Sequence, residues 1–170
     1  MKTNILNISL LITMVFQLPL FAQNNNQQDF FNAIETNDTK RIKEMVIANP
    51  ALVDSSLTTS QYLTSHTYFP IHLAIMRSSA ETIIFLIDLG ADFSRVYSRS
   101  ALMSHTSKTS LELLIEYRNR DFLELIIPSV NVSAKAITSS IYLAYELQKY
   151  DIVEYLLEIA PDYLLPKSEK

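Results

Sequence analysis

The most regular pattern along this chain is an apolar triplet at i, i+3 and i+4, and it occurs four times. The triplets are Ile42, Met45 and Val46; Ile83, Leu86 and Ile87; Leu123, Ile126 and Ile127; and Val153, Leu156 and Leu157. Such spacing lines three side chains along one stripe of an α-helix. Each triplet starts nine residues after a small or apolar residue, namely Ala33, Ala74, Leu114 and Ala144, and these recur at intervals of 41, 40 and 30 residues. The recurrence predicts four antiparallel helix pairs. First helices fall near Asp29 to Thr36, Pro70 to Arg77, Ser110 to Tyr117 and Ser139 to Leu147. Second helices fall near Thr39 to Ala48, Ala80 to Leu89, Arg120 to Ile127 and Asp151 to Ile159. Pro70 suits a first helical position, where its missing N–H is not needed. Gly90 suits a left-handed helix stop, while Asn49-Pro50 and Ala160-Pro161 are expected to end their helices through proline.

Two polar stretches rich in Ser, Thr and Tyr, Ser55 to Tyr68 and Phe93 to Lys108, separate the first three pairs and read as long loops. One glycine in 170 residues argues against a sheet with tight hairpins, because such turns demand positive φ. The expected fold class is therefore all-α, as a solenoid of stacked helix pairs.

Charge and the N-terminus narrow the setting. Lys2, the apolar run Ile5 to Leu20 and the small residue Ala22 form a signal-peptide pattern, so export and cleavage after Ala22 are expected. The domain plan is then a signal segment at 1–22, a polar leader at 23–28, a helical domain at 29–165 and a tail at 166–170. A periplasmic or secreted location follows, with no stable membrane insertion once the signal is removed. The formal net charge is −4 with no basic cluster, which gives nucleic acid nothing to bind. Cysteine is absent, which excludes disulfides, thiolate metal sites and a Cys nucleophile.

The run Phe69-Pro70-Ile71-His72-Leu73-Ala74, followed by Leu86-Ile87 and Gly90-Ala91-Asp92, resembles the ankyrin repeat, with a divergent array of about four copies. The resemblance is also good in Ile152 to Leu157, whereas Phe69 replaces the motif threonine and Glu112 stands where the third copy would carry histidine. It implies a monomeric protein-binding scaffold that grips an unidentified protein through a concave face and its finger loops. It also implies a backbone hydrogen-bonding role for the His72 imidazole. Aligning the copies places His66, Tyr68, Met76, Arg77, His105, Lys108, Glu116, Tyr117, Thr138 and Glu146 on the contact surface.

Catalytic chemistry finds little support in these residues. No Gly-x-Ser-x-Gly elbow or glycine-rich phosphate loop exists. His66 and His105 fall at similar places in consecutive copies, yet two histidines without a third ligand make a poor zinc site. No cofactor, metal or enzymatic activity is expected. The alternatives are a small-ligand or enzymatic site in the loops, and a passive structural domain of an envelope assembly.

Overall fold

The computed structural model describes the backbone of residues 26–164 and the side chains of residues 26–160. The expected signal segment, the start of the leader and the tail lie outside them. Helix α1 covers residues 26–35. It is followed by α2 (Thr39–Ala48), a 3-10 turn (Pro50–Asp54), β1 (Leu57–Gln61), β2 (Thr64–Tyr68), α3 (Pro70–Arg77) and α4 (Ala80–Asp88). Then come β3 (Val96–Ala101), β4 (Ser104–Thr109), α5 (Ser110–Tyr117), α6 (Arg120–Ile126), a second 3-10 turn (Ile127–Ser129), α7 (Ala134–Glu146) and α8 (Tyr150–Leu164).

Local chemistry accounts for most helix starts. Asp38, Ser79, Asn119 and Ser133 each use a side-chain oxygen to accept an otherwise unpaired amide of the first turn. At α5 the pairing is reciprocal. Glu112 N–H donates to Thr109 Oγ1 at 3.2 Å, and Thr109 N–H donates to Glu112 Oε2 at 2.7 Å. Helix α4 ends through Gly90 at φ 95, with Gly90 and Ala91 amides returning to the Ile87 and Leu86 carbonyls. Three edges differ from expectation, the first being the start of α1 at residue 26, inside the expected polar leader. Helix α7 begins at Ala134, ahead of Ser139, and α8 runs to Leu164 past Pro161.

The helices pack in two rows. α3 lies against α5 and α5 against α7, while α4 lies against α6 and α6 against α8. Leu86, Ile126 and Leu156, one from each helix of the second row, are fully buried, as are Ala74, Leu114 and Ala144 of the first. Each junction also carries a polar device. The Ser78 hydroxyl donates to the Ile34 carbonyl at 2.8 Å. Arg118 reaches back to α3, donating to the Ala74 carbonyl at 3.2 Å and the Ser78 carbonyl at 2.6 Å. Lys149 does the same for α5, its Nζ donating to the carbonyls of Ile115, Glu116 and Arg118 at 2.6, 3.0 and 2.9 Å. The last carbonyls of a helix lack internal partners and carry partial negative charge, so a cation from the following pair satisfies both needs.

The all-α solenoid expectation is corrected by the two polar stretches, which are hairpins rather than loops. They join into one antiparallel sheet of four strands in the order β1-β2-β3-β4, and the fold is mixed α/β. Scarcity of glycine did not forbid the hairpins. The β1–β2 turn is Tyr62-Leu63, between the paired Gln61 and Thr64, with Tyr62 itself at φ 54. That conformation costs a side-chain-bearing residue about 1 kcal/mol, which a ladder of main-chain hydrogen bonds can offset. The β3–β4 turn, Leu102-Met103 between the paired Ala101 and Ser104, has no residue at positive φ.

Candidate functional site

Side chains on a strand alternate between faces, and directly paired residues share a face. Register therefore sorts the sheet into two surfaces. Pairing of Thr58 with Thr67, Thr67 with Ser98 and Ser98 with Ser107 makes one row of hydroxyls. Ser60, Ser65, Ser100 and His105 form a second row on that same face. The opposite face carries Tyr68, His66, Tyr97, Arg99 and Lys108, and it is this face that meets α5.

Tyr97 is the centre of that surface. Its phenol oxygen lies 2.7 Å from His66 Nδ1, a hydrogen bond between the two hairpins. Its ring also stands edge-on to His72, with centroids 6.3 Å apart. Burial pushes the phenol above its ordinary pKa; nearby Tyr117 adds to this, Arg99 opposes it, and Glu116 and Tyr68 push the same way as Tyr117. Tyr97 thus stays neutral throughout the physiological range. Lys108 forms an ion pair with Glu116 of α5, which ties the fourth strand to the helix beside Tyr117. Tyr117 itself is 51% exposed.

Beneath this surface His72 is fully buried. Its Nδ1 faces the Phe69 N–H at 3.2 Å and its Nε2 faces the Arg95 carbonyl at 3.0 Å. The amide can only donate and the carbonyl can only accept, so the ring is neutral with its proton on Nε2. Desolvation lowers its pKa from 6.5 to about 4, against a raising effect of the Arg95 carbonyl. The position matches that of Glu112 in α5: both side chains accept the amide of the residue before the helix. His72 is a structural pin between α3 and the start of β3.

The structure separates the ten residues singled out from sequence. His66, Tyr68, Lys108, Glu116 and Tyr117 gather around Tyr97. Tyr68 is half-buried, its ring edge-on to Phe31 at 5.7 Å. Met76 is half-buried at the end of α3, and the neighbouring Arg77 pairs with Glu35 of α1 at 3.0 Å. Thr138 and Glu146 are exposed on α7, the Thr138 hydroxyl donating to its own helix at Ala134. His105 lies on the hydroxyl face, bonded to Ser100 at 2.8 Å. It therefore points away from His66. Their places in the two hairpins differ by one residue relative to the following helix, and one residue reverses the face. Tyr97 was not among the ten, and Arg99 was not singled out from sequence at all. Alternation along Val96 to Ala101 is the signal that would have placed them beside His66.

Among the described residues no group of three or more His, Asp or Glu side chains is placed to hold a metal ion. Next to Tyr117 an open cleft of about 430 Å³ runs between Arg118, Asn119, Phe122, Lys149, Asp151 and Ile152. Its cations are engaged: Arg118 and Lys149 cap helices, and the Arg118 guanidinium also lies 4.6 Å over the Phe122 ring. The site is thus an open aromatic and charged surface. No family model matches the chain, and no curated protein matches it either.

Proposed function

We propose that this chain is an exported protein-binding scaffold whose contact surface is the Tyr97 face of the sheet together with the exposed end of α5. The observation that carries the reading is the company kept by Tyr97: His66, Tyr68, Arg99, Lys108, Glu116 and Tyr117 lie on one continuous face rather than around an enclosed cavity. Interfaces favour tyrosine and arginine, which bring large area and directional hydrogen bonds at modest entropic cost. The hydrogen bond between His66 and Tyr97 and the ion pair between Lys108 and Glu116 hold these side chains in place before a partner arrives, which lowers the entropic cost of association. The periplasmic or secreted setting rests on the N-terminal sequence pattern alone.

A double variant, Arg99→Glu with Tyr117→Ala, tests the surface without touching the core, since both residues are exposed. Crosslinking from an envelope extract of the producing cell is expected to give a discrete adduct with the native chain. The double variant should lose that adduct while keeping its melting temperature. Persistence of the adduct in the double variant refutes the assignment.

A further inference from the structure

Four large apolar residues stand clear of the protein at one end of the sheet. Tyr62 is 96% exposed, Leu63 68%, Leu102 76% and Met103 96%. They are the turn residues of both hairpins, and pairing of Thr64 with Ala101 sets the two turns side by side. Neighbouring strands are about 5 Å apart, so these residues form one apolar tip. An exposed apolar group of this kind marks a contact surface rather than chance exposure.

Charge says what the tip would meet. All 18 Asp and Glu residues lie outside the two hairpins, although the whole chain is acidic. Within the hairpins the charged residues are Arg99 and Lys108, and the titratable histidines are His66 and His105. Lys108 is paired to Glu116, whereas among the described residues no salt bridge engages Arg99. Arg99 sits three positions before the turn residue Leu102, about 10 Å from the tip along the strand. Between lie the hydroxyls of Thr64, Ser65, Ser100 and Ser104. The order from the outside inward is aliphatic and aromatic groups, then hydroxyls, then a cation.

We infer that the paired hairpin tips dock peripherally into an anionic lipid surface, with Leu63, Leu102 and Met103 entering the acyl boundary and Tyr62 at headgroup level. Tyrosine prefers that level because its ring is apolar and its hydroxyl is wet. Arg99 would then stand at the anionic headgroups, where an uncompensated cation is favoured and a carboxylate would be repelled. A convex tip suits a fluid lipid boundary, which closes around any shape, whereas a protein would need a matching groove. No helix among the described residues is long and apolar enough to cross a membrane, and the inferred contact is shallow. Apart from Arg99, which also belongs to the Tyr97 face, it uses the turns, so reporters at Leu63 and Met103 test it separately from the protein-binding reading.

The chain contains no tryptophan, so single reporters are readable in the full chain. Leu63→Trp and Met103→Trp probe the two tips, and Ile47→Trp probes an exposed position on α2, away from the sheet. With phosphatidylcholine vesicles containing phosphatidylglycerol, both tip reporters should shift to shorter wavelength and be quenched by brominated acyl chains. The Ile47→Trp reporter should do neither. Adding Leu102→Ser and Met103→Ser to Leu63→Trp should abolish the shift, and adding Arg99→Ser should raise the lipid concentration at half-saturation about fivefold. Unshifted tip reporters overturn the inference, as does an equal response at Ile47→Trp, which would mean that another part of the chain drives binding. Equal affinity for vesicles with and without phosphatidylglycerol overturns it too. So does protection of the tips from an aqueous quencher by a lipid-free protein fraction in the absence of any vesicle response, because the tips would then belong to a protein partner.

Discussion

Acid should weaken this protein through His72 before general carboxylate protonation does. The ring is fully buried and satisfied only when neutral, since protonating Nδ1 would set its new N–H against the Phe69 N–H. The folded-state pKa is lowered from 6.5 to about 4. A depressed histidine pKa means the unfolded chain takes up the proton first, so the neutral ring's contribution is fully present above pH 6.5. It is lost as pH falls from 6.5 towards 4, and levels off below that. At about 1.4 kcal/mol for each tenfold difference in proton affinity, the loss across this window is about 3 kcal/mol. For a domain of this size that is a substantial part of total stability. Urea unfolding followed by circular dichroism at pH 7.5, 6.5, 5.5 and 4.5 measures it, with His72→Asn as the comparison. The variant should be weaker at neutral pH, having lost packing and hydrogen bonds. Its disadvantage should shrink by about 3 kcal/mol at the acid end, because it has no ring to titrate. Parallel stability curves for the two proteins, or an NMR titration placing the His72 ring near 6.5, would refute the reasoning.

Three further outcomes follow from single contacts. Lys149→Met should lower stability by about 2 kcal/mol in urea unfolding, since three α5-end carbonyls lose a charged donor. Ser140→Ala should raise stability by about 1 kcal/mol, visible as a higher melting temperature, because the Ser140 hydroxyl is buried with no hydrogen-bond partner among the described residues. Gly90→Ala should cost about 1 kcal/mol in the same assay. An added Cβ would meet nothing within 4 Å, so the whole effect is the strain of φ 95 on a side-chain-bearing residue.

The helices were legible because burial on one stripe writes a 3.6-residue period into the chain. Ile42, Ile83 and Leu123 could hardly be arranged otherwise and still be buried. The fourth stripe is instead Ile152, Tyr155 and Leu156, one residue off the expected Val153, Leu156 and Leu157, and Leu157 is exposed. The strands were not legible by that route. Thr58, Ser60, Ser65, Thr67, Ser98 and Ser107 give the sheet a face with no apolar residue between them, so hydrophobic alternation never appears. Five of the seven residues of the candidate site were visible as residue types: His66, Tyr68, Lys108, Glu116 and Tyr117. Its centre was missed, because alternation in a stretch dominated by Ser and Thr shows which residues share a face but not which face is packed, and so does not mark Tyr97 as half-buried.

By itself the sequence determined where apolar side chains must be hidden: stripe positions, helix starts at Asp38, Ser79 and Thr109, and the stop at Gly90. These depend on neighbours within a few residues, where propensity, capping and periodicity act. Tertiary structure decided that two hydroxyl-rich segments would pair with each other, that His66 and His105 would face opposite ways, and that Arg118 and Lys149 would close the ends of helices some 40 and 30 residues earlier. Such choices rest on register and on unsatisfied main-chain groups meeting across space. A strand slipped by one residue keeps its composition and reverses every side chain, so no local pattern can fix it.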